Sequence, residues 1–253
     1  MGPPLVALMM LLALAVSSTA SADQRGVNLS WDDCGSHGLE DKSFACDTNE
    51  GAPFTMVASF TAPDFVTAAI EITVQINLIF GSSSVPSWWE LRTQADQLHG
   101  CRDGELVWDQ DSSTTSACGQ PWAVAPQGGI GSYTLGAVFS QPYTAELLGV
   151  VAVASKDSAA LIPGAEYYAM KFSITRSKTV GAGSCAGCDV TMCAALVRIK
   201  IYQTDGHPAG NPDIYDPPPG GRNTITWQGG GGANCSWVPV KRQTWGQIKA
   251  LYH

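Results

Sequence analysis

The strongest pattern along the chain has period two. Ile70, Ile72, Val74, Ile76, Leu78 and Phe80 alternate with Glu71, Thr73, Gln75, Asn77 and Ile79. Successive strand side chains point to opposite faces, whereas a helix would scatter these apolar residues around its circumference. The segment is therefore expected to be a strand with one buried and one mostly wet face. Tyr168, Met170, Phe172 and Ile174 repeat the pattern, as do Val197, Ile199 and Ile201. Shorter alternations occur at Val27/Leu29/Trp31, Phe54/Met56/Ala58/Phe60, Leu106/Trp108, Tyr133/Leu135/Ala137/Phe139 and Ile225/Trp227. Residues 147–154 are apolar on both parities except Gly149, which predicts a strand covered on both faces.

These candidate strands are separated by Gly, Pro, Asp, Asn and Ser clusters, and no long amphipathic helix lies between them. Parallel strands need crossover helices, so the expected fold is all-β: one antiparallel β-sandwich, with a jelly roll as one form it could take. Two capping boxes predict short helices. Ser87-x-x-Glu90 places one near 88–92, and Thr244-x-x-Gln247 places another near 245–252. The glycine run 229–232 reads as a hinge, dividing a sandwich domain at 23–228 from a tail at 229–253. That tail is read as either a sorting signal or a cap over an exposed sheet edge.

Residues 1–22 are expected to be a secretory signal. An uncharged apolar run at 5–16 precedes the small residues Ala20-Ser21-Ala22. The run is too short to cross a bilayer core of about 30 Å as a helix, and no later stretch is long enough. The expected location is thus secreted or cell-envelope, with no transmembrane segment in the processed chain.

Composition narrows the partners. Lys and Arg number 14 against 22 Asp and Glu, giving a net charge of −8. An acidic surface repels phosphate backbones, so nucleic acid is excluded as an expected partner. The eight cysteines are Cys34, Cys46, Cys101, Cys118, Cys185, Cys188, Cys193 and Cys235. In an exported chain disulfides are the expected fate. Spacing suggests the local pairs Cys34 with Cys46 and Cys101 with Cys118, leaving the other four to pair among themselves. The Cys185-x-x-Cys188-x4-Cys193 cluster with Cys235 also admits a zinc site or a redox pair.

Two segments carry a resemblance. Val27-Asn28-Leu29-Ser30-Trp31-Asp32-Asp33-Cys34-Gly35 with Phe44-Ala45-Cys46-Asp47-Thr48-Asn49 resembles the opening of a group of secreted bacterial β-sandwich proteins known mainly from genome and environmental sequences. Thr244-Trp245-Gly246-Gln247-Ile248-Lys249-Ala250-Leu251-Tyr252 resembles their ending. Gly183-Ser184-Cys185-Ala186-Gly187-Cys188 and Thr226-Trp227-Gln228-Gly229-Gly230 are similar to further parts of them. The resemblance implies a secreted protein of a Gram-negative-like bacterium and carries no activity with it.

Candidate chemistry is sparse. Eight tryptophans are present. Trp31, Trp108 and Trp227 fall on the apolar parity of strands and are expected in the core. Trp88, Trp89 and Trp122 lie near turns and are the candidates for an exposed platform that stacks on a sugar ring, although covering the end of a sandwich is the use that weighs more. Asp205, Asp213 and Asp216, in a Gly/Pro/Asn-rich loop, are candidate calcium ligands, as are Asp103, Glu105, Asp109 and Asp111 around one strand. Neither set has EF-hand spacing, and no other cofactor is indicated. Gly-x-Ser-x-Gly and His-Glu-x-x-His are absent. The functional expectation is a non-catalytic module that binds a ligand or surface partner or serves as a surface structural component. The alternatives are a carbohydrate-binding module and a secreted polysaccharide-acting hydrolase.

Overall fold

The computed structural model describes residues 25–91, 100–113, 115, 117–126 and 128–235. The signal reading of 1–22 and the helix expected at 245–252 lie outside them. Among the described residues eleven strands follow in chain order: β1 (Gly26–Trp31), β2 (Asp41–Lys42), β3 (Phe54–Thr61), β4 (Ala69–Phe80), β5 (Leu106–Asp109), β6 (Gly128–Leu135), β7 (Thr144–Ala152), β8 (Glu166–Ile174), β9 (Met192–Gln203), β10 (Asp213–Ile214) and β11 (Thr224–Trp227).

They form two sheets packed face to face, a β-sandwich. The smaller sheet has the order β1-β3-β8-β5 and the larger β2-β11-β9-β4-β7-β6, with β10 also beside β9. All pairings are antiparallel except the short parallel contact of β11 with β2. The chain changes sheet at every step from β1 to β6, and again between β7 and β8 and between β8 and β9, which interleaves the two layers.

Alternation explains the core. Val27, Leu29 and Trp31 of β1, Phe54, Met56 and Phe60 of β3, and Ile72, Val74, Ile76 and Leu78 of β4 are buried together. Three bulges shift the parity, the first in β4, where Ala69 pairs with Gln203 and Glu71 with Tyr202, so Ile70 is the extra residue. In β9, Leu196 pairs with Ile76 and Arg198 with Gln75, so Val197 is the extra residue. Leu196 and Ile199 therefore both reach the core. In β8, Ala169 is the extra residue opposite Ala58 and Ser59.

Strand β7 departs from expectation. Ala145, Leu147, Gly149 and Val151 are buried, whereas Glu146, Leu148, Val150 and Ala152 are only half-buried. The strand lies near an edge, between β4 and β6, rather than at the sheet centre. The outer face of β4 is less wet than its polar residues imply, since Thr73, Asn77 and Ile79 are all buried.

The cysteines form four disulfides: Cys34–Cys118, Cys46–Cys188, Cys101–Cys185 and Cys193–Cys235. The local pairs Cys34–Cys46 and Cys101–Cys118 are thus incorrect, and Cys185 and Cys188 each bind a distant partner. A sandwich brings together loops remote in sequence, and that geometry overrides local spacing. With every described cysteine bonded, neither the zinc nor the redox reading of the Cys185–Cys235 set holds. Four disulfides suit an oxidising compartment. Among the described residues no helix is long and apolar enough to cross a membrane.

The 3-10 turn Ser87–Trp89 occupies the first predicted helix, but without the capping box. Pro86 is its N-cap and Ser87 makes no capping bond. The Glu90 carboxylate instead accepts the Cys101 N–H at 3.3 Å. The glycine run 229–232 is tied to the body. Gly229 N–H donates to Asp41 Oδ1 at 2.9 Å, Gly231 carbonyl accepts the Thr191 hydroxyl, and Cys235 is bonded to Cys193 on β9.

Candidate functional site

Trp88 and Trp89 form no platform. Both are completely buried at the sandwich end where β3 begins and β4 and β11 finish. Trp88 stacks on Trp227 at 5.5 Å, and Trp89 meets the same ring edge-on at 5.5 Å. Phe54 meets Trp227 at 4.7 Å. Among the described residues no further strand closes this end, and large rings fill it. They are a plug, and the platform reading of both residues is withdrawn.

The calcium reading of Asp205, Asp213 and Asp216 also fails on geometry. Asp205 is exposed in the turn after β9, Asp213 on β10 faces Arg198 at 3.9 Å, and the Asp216 carbonyl accepts the Val27 N–H. Among the described residues no three His, Cys, Asp or Glu side chains gather into a metal-holding group.

A cleft of about 550 Å³ lies elsewhere, at the open side of the sandwich. Here β5 is the edge of the small sheet and β6 the edge of the large one. Trp108 of β5 spans the gap. Its ring meets Phe172 edge-on at 5.0 Å and presses on Gly131 of β6, where a Cβ would lie 2.0 Å from the indole. Only glycine at 131 leaves room for that ring. Gln110 fills the matching space over Gly129, whose Cβ would come within 1.5 Å of its amide nitrogen.

The segment after β5 builds the other wall. Gly119 pairs in parallel with Tyr167 of β8, and Trp122 Nε1 donates to the Ala69 carbonyl of β4 at 3.1 Å. The segment therefore passes from one sheet to the other. Trp122 is largely buried, with 6% exposure, so it serves as the cleft's floor rather than as a free platform. Gln120 is exposed beside it.

Two carboxylates line the same cleft, Asp109 and Asp111. Buried Lys171 meets Asp109 Oδ2 at 3.0 Å and donates to the Asp111 carbonyl at 2.9 Å. Asp109 Oδ1 accepts the Asp111 N–H at 2.8 Å. Asp111 accepts from both the hydroxyl and the N–H of Ser113, at 2.6 and 2.8 Å. These Ser113 bonds hold the Asp111 carboxyl below its ordinary value, against a small opposing effect of burial. Tyr168 lies beneath, its hydroxyl donating to the Asp109 carbonyl at 2.6 Å. Burial and the nearby Asp109 charge push that phenol well above its usual range.

Of the three tryptophans expected at a site, only Trp122 is here. Trp108, expected in the core, is half-buried and shared between core and cleft. Asp109 and Asp111 stood among the calcium candidates, whereas Gln110 and Gln120 carried no expectation. The available signal was the pairing of each tryptophan with a nearby amide or acid, as Trp108-Asp109-Gln110-Asp111 and Gln120-Pro121-Trp122.

The arrangement is an aromatic-floored, open groove with amide and carboxylate rims, the usual composition of a small-ligand site. Compared with family models, curated proteins and solved structures, the chain finds no match.

Proposed function

We propose that the protein is a non-catalytic binding module of an extracytoplasmic space, and that the β5/β6 cleft takes a carbohydrate. The observation that carries this reading is the convergence of Trp108 and Trp122 with Gln110, Gln120, Asp109 and Asp111 in one cleft. Indole surface suits the C–H face of a sugar, and amides and carboxylates suit its hydroxyls. The acidic rim and the net charge of −8 favour neutral glycans over polyanionic ones. Four disulfides suit an exported protein.

A glycoside hydrolase needs one carboxyl held protonated as a general acid. The carboxylates of this cleft are tied as acceptors, Asp109 to Lys171 and Asp111 to Ser113, which suits the binding of sugar hydroxyls.

Glycan-array binding of the full chain tests the proposal, with Asp111→Ala and Gln120→Ala as exposed cleft variants. Binding to a neutral plant, algal or bacterial glycan that drops about tenfold in either variant, at unchanged melting temperature, supports it. Silence across all three glycan groups overturns it, as does binding that neither variant affects.

A further inference from the structure

A second cavity, of about 340 Å³, lies on the outer face of the small sheet. Its wall is the first residue of β8, Glu166. One carboxylate oxygen, Oε1, accepts Asn28 Nδ2 at 2.8 Å and the Ser59 hydroxyl at 2.6 Å. Both donors are almost wholly buried, at 2% and 0% exposure, so the carboxylate is fixed in place. Oε2 has no hydrogen-bond partner, and no Lys, Arg or His pairs with Glu166, among the described residues. The Arg222 guanidinium is engaged elsewhere, with Gly38 carbonyl at 3.1 Å and Glu40 at 3.6 Å.

The space around this carboxylate depends on glycine. Gly35 has φ +51°, and a Cβ there would sit 2.5 Å from Oε2. A Cβ on Gly221 would sit 2.3 Å from Asn28 Oδ1. Any side chain at either place would strike the Glu166–Asn28 pair. The cavity's other surfaces are the hydroxyl-bearing Ser36 and Thr61 and the rings of Pro218 and Pro219.

Among the described residues Glu166 is the single charged one lining the cavity. A divalent cation draws on several carboxylates, and among the described residues no such group exists here. One fixed negative charge, hydroxyl acceptors and an apolar proline wall suit a monovalent organic cation with a methylene stem. We propose that this cavity is a second binding site, independent of the β5/β6 cleft, that takes a primary alkylammonium group. Glu166 Oε2 is the counter-charge, Ser36 and Thr61 accept further N–H bonds, and Pro218 and Pro219 flank the stem. The group is either that of a free amine or that of a lysine side chain in a peptide.

Amide NMR titration of the full chain tests this with n-pentylamine, Nα-acetyl-lysine amide, n-pentanol and calcium chloride as probes. The expected result is saturable shifts with pentylamine at Gly35, Gly164 and Gly220, and none with pentanol. Glu166→Gln keeps acceptors for Asn28 and Ser59 but removes the charge, and is expected to weaken the amine about tenfold or more. Thr61→Val, which retains the carboxylate, is expected to weaken it by a smaller factor and covers the case in which Glu166→Gln lowers the melting temperature. Acetyl-lysine amide binding as well as pentylamine assigns the site to peptide lysines; pentylamine binding alone assigns it to free amines. Absence of saturable shifts with either amine overturns the proposal. So does amine affinity unchanged in both variants, or calcium shifting these amides where amines do not.

Discussion

The Arg102 guanidinium lies 3.8 Å from the centre of the Trp88 ring, and both residues are fully buried. Its Nη1 donates to the Trp88 carbonyl at 3.0 Å, and its Nη2 donates to the Thr175 carbonyl. Burial lowers this group to about 10 from its ordinary value, although Glu105 pulls it upward. The charge is therefore held at neutral pH, at a solvation cost that the indole face and two carbonyls offset. Arg102→Met leaves both carbonyls without that donor and is expected to cost about 2–4 kcal/mol. Urea unfolding is the check: the midpoint should fall with the slope unchanged.

The disulfide Cys46–Cys188 closes a separation of 142 residues and anchors the loop before β3 to the loop before β9. Replacing both cysteines by alanine should cost about 3–5 kcal/mol in the loop-entropy model. Thermal unfolding of the oxidised double variant beside the parent measures this. A change under about 1 kcal/mol would mean that the other three bridges already restrict the unfolded chain.

Gly131 and Gly129 separate stability from binding. Gly131→Ala puts a methyl group into the Trp108 indole and is expected to cost about 1–3 kcal/mol, with a shift in tryptophan emission. Gly129→Ala meets the flexible end of Gln110 and lies 3.2 Å from the Val150 carbonyl oxygen, so stability should fall less than at Gly131. If the cleft binds as proposed, Gly129→Ala should still weaken the ligand by displacing that amide.

Asp41 supplies an acid-sensitive contact. Burial alone would raise its carboxyl, but the Thr226 hydroxyl at 2.7 Å, the Gly229 N–H at 2.9 Å and the Ser43 hydroxyl at 3.1 Å hold it below its ordinary 3.8. A carboxyl lowered on folding stabilises fully above its unfolded value, and that contribution disappears as pH falls through the folded one. Asp41→Asn should therefore flatten the fall in melting temperature between about pH 4.5 and pH 2.5. Scanning calorimetry across that window reads the difference directly.

Period-two alternation exposed the long strands because each has one face against the opposing sheet. It was silent on β2 and β10, two-residue strands too short to alternate. Proximity to a turn left two uses open for Trp88 and Trp89, and the structure shows the covering of the sandwich end, where bulky rings are needed, and not the exposed platform. The cysteine pairs were hidden for a related reason: sequence spacing does not encode which loops meet across two layers. The β5/β6 cleft draws Trp108 and Trp122 from separate segments, so no local motif announces it. Glu166 was equally hidden, since its partners Asn28 and Ser59 come from β1 and β3.

The long sulfur links have a topological consequence. Between Cys34 and Cys188 every peptide bond is enclosed by at least one of them. A protease that nicks any loop there leaves a molecule of undiminished mass on a non-reducing gel, falling into fragments only with thiol. Residues 189–192 are a gap between enclosed regions. A cut in this short stretch severs the last covalent route from the body to β9, so the integrity of the nicked molecule between Cys34 and Cys235 hinges on how well four residues are shielded.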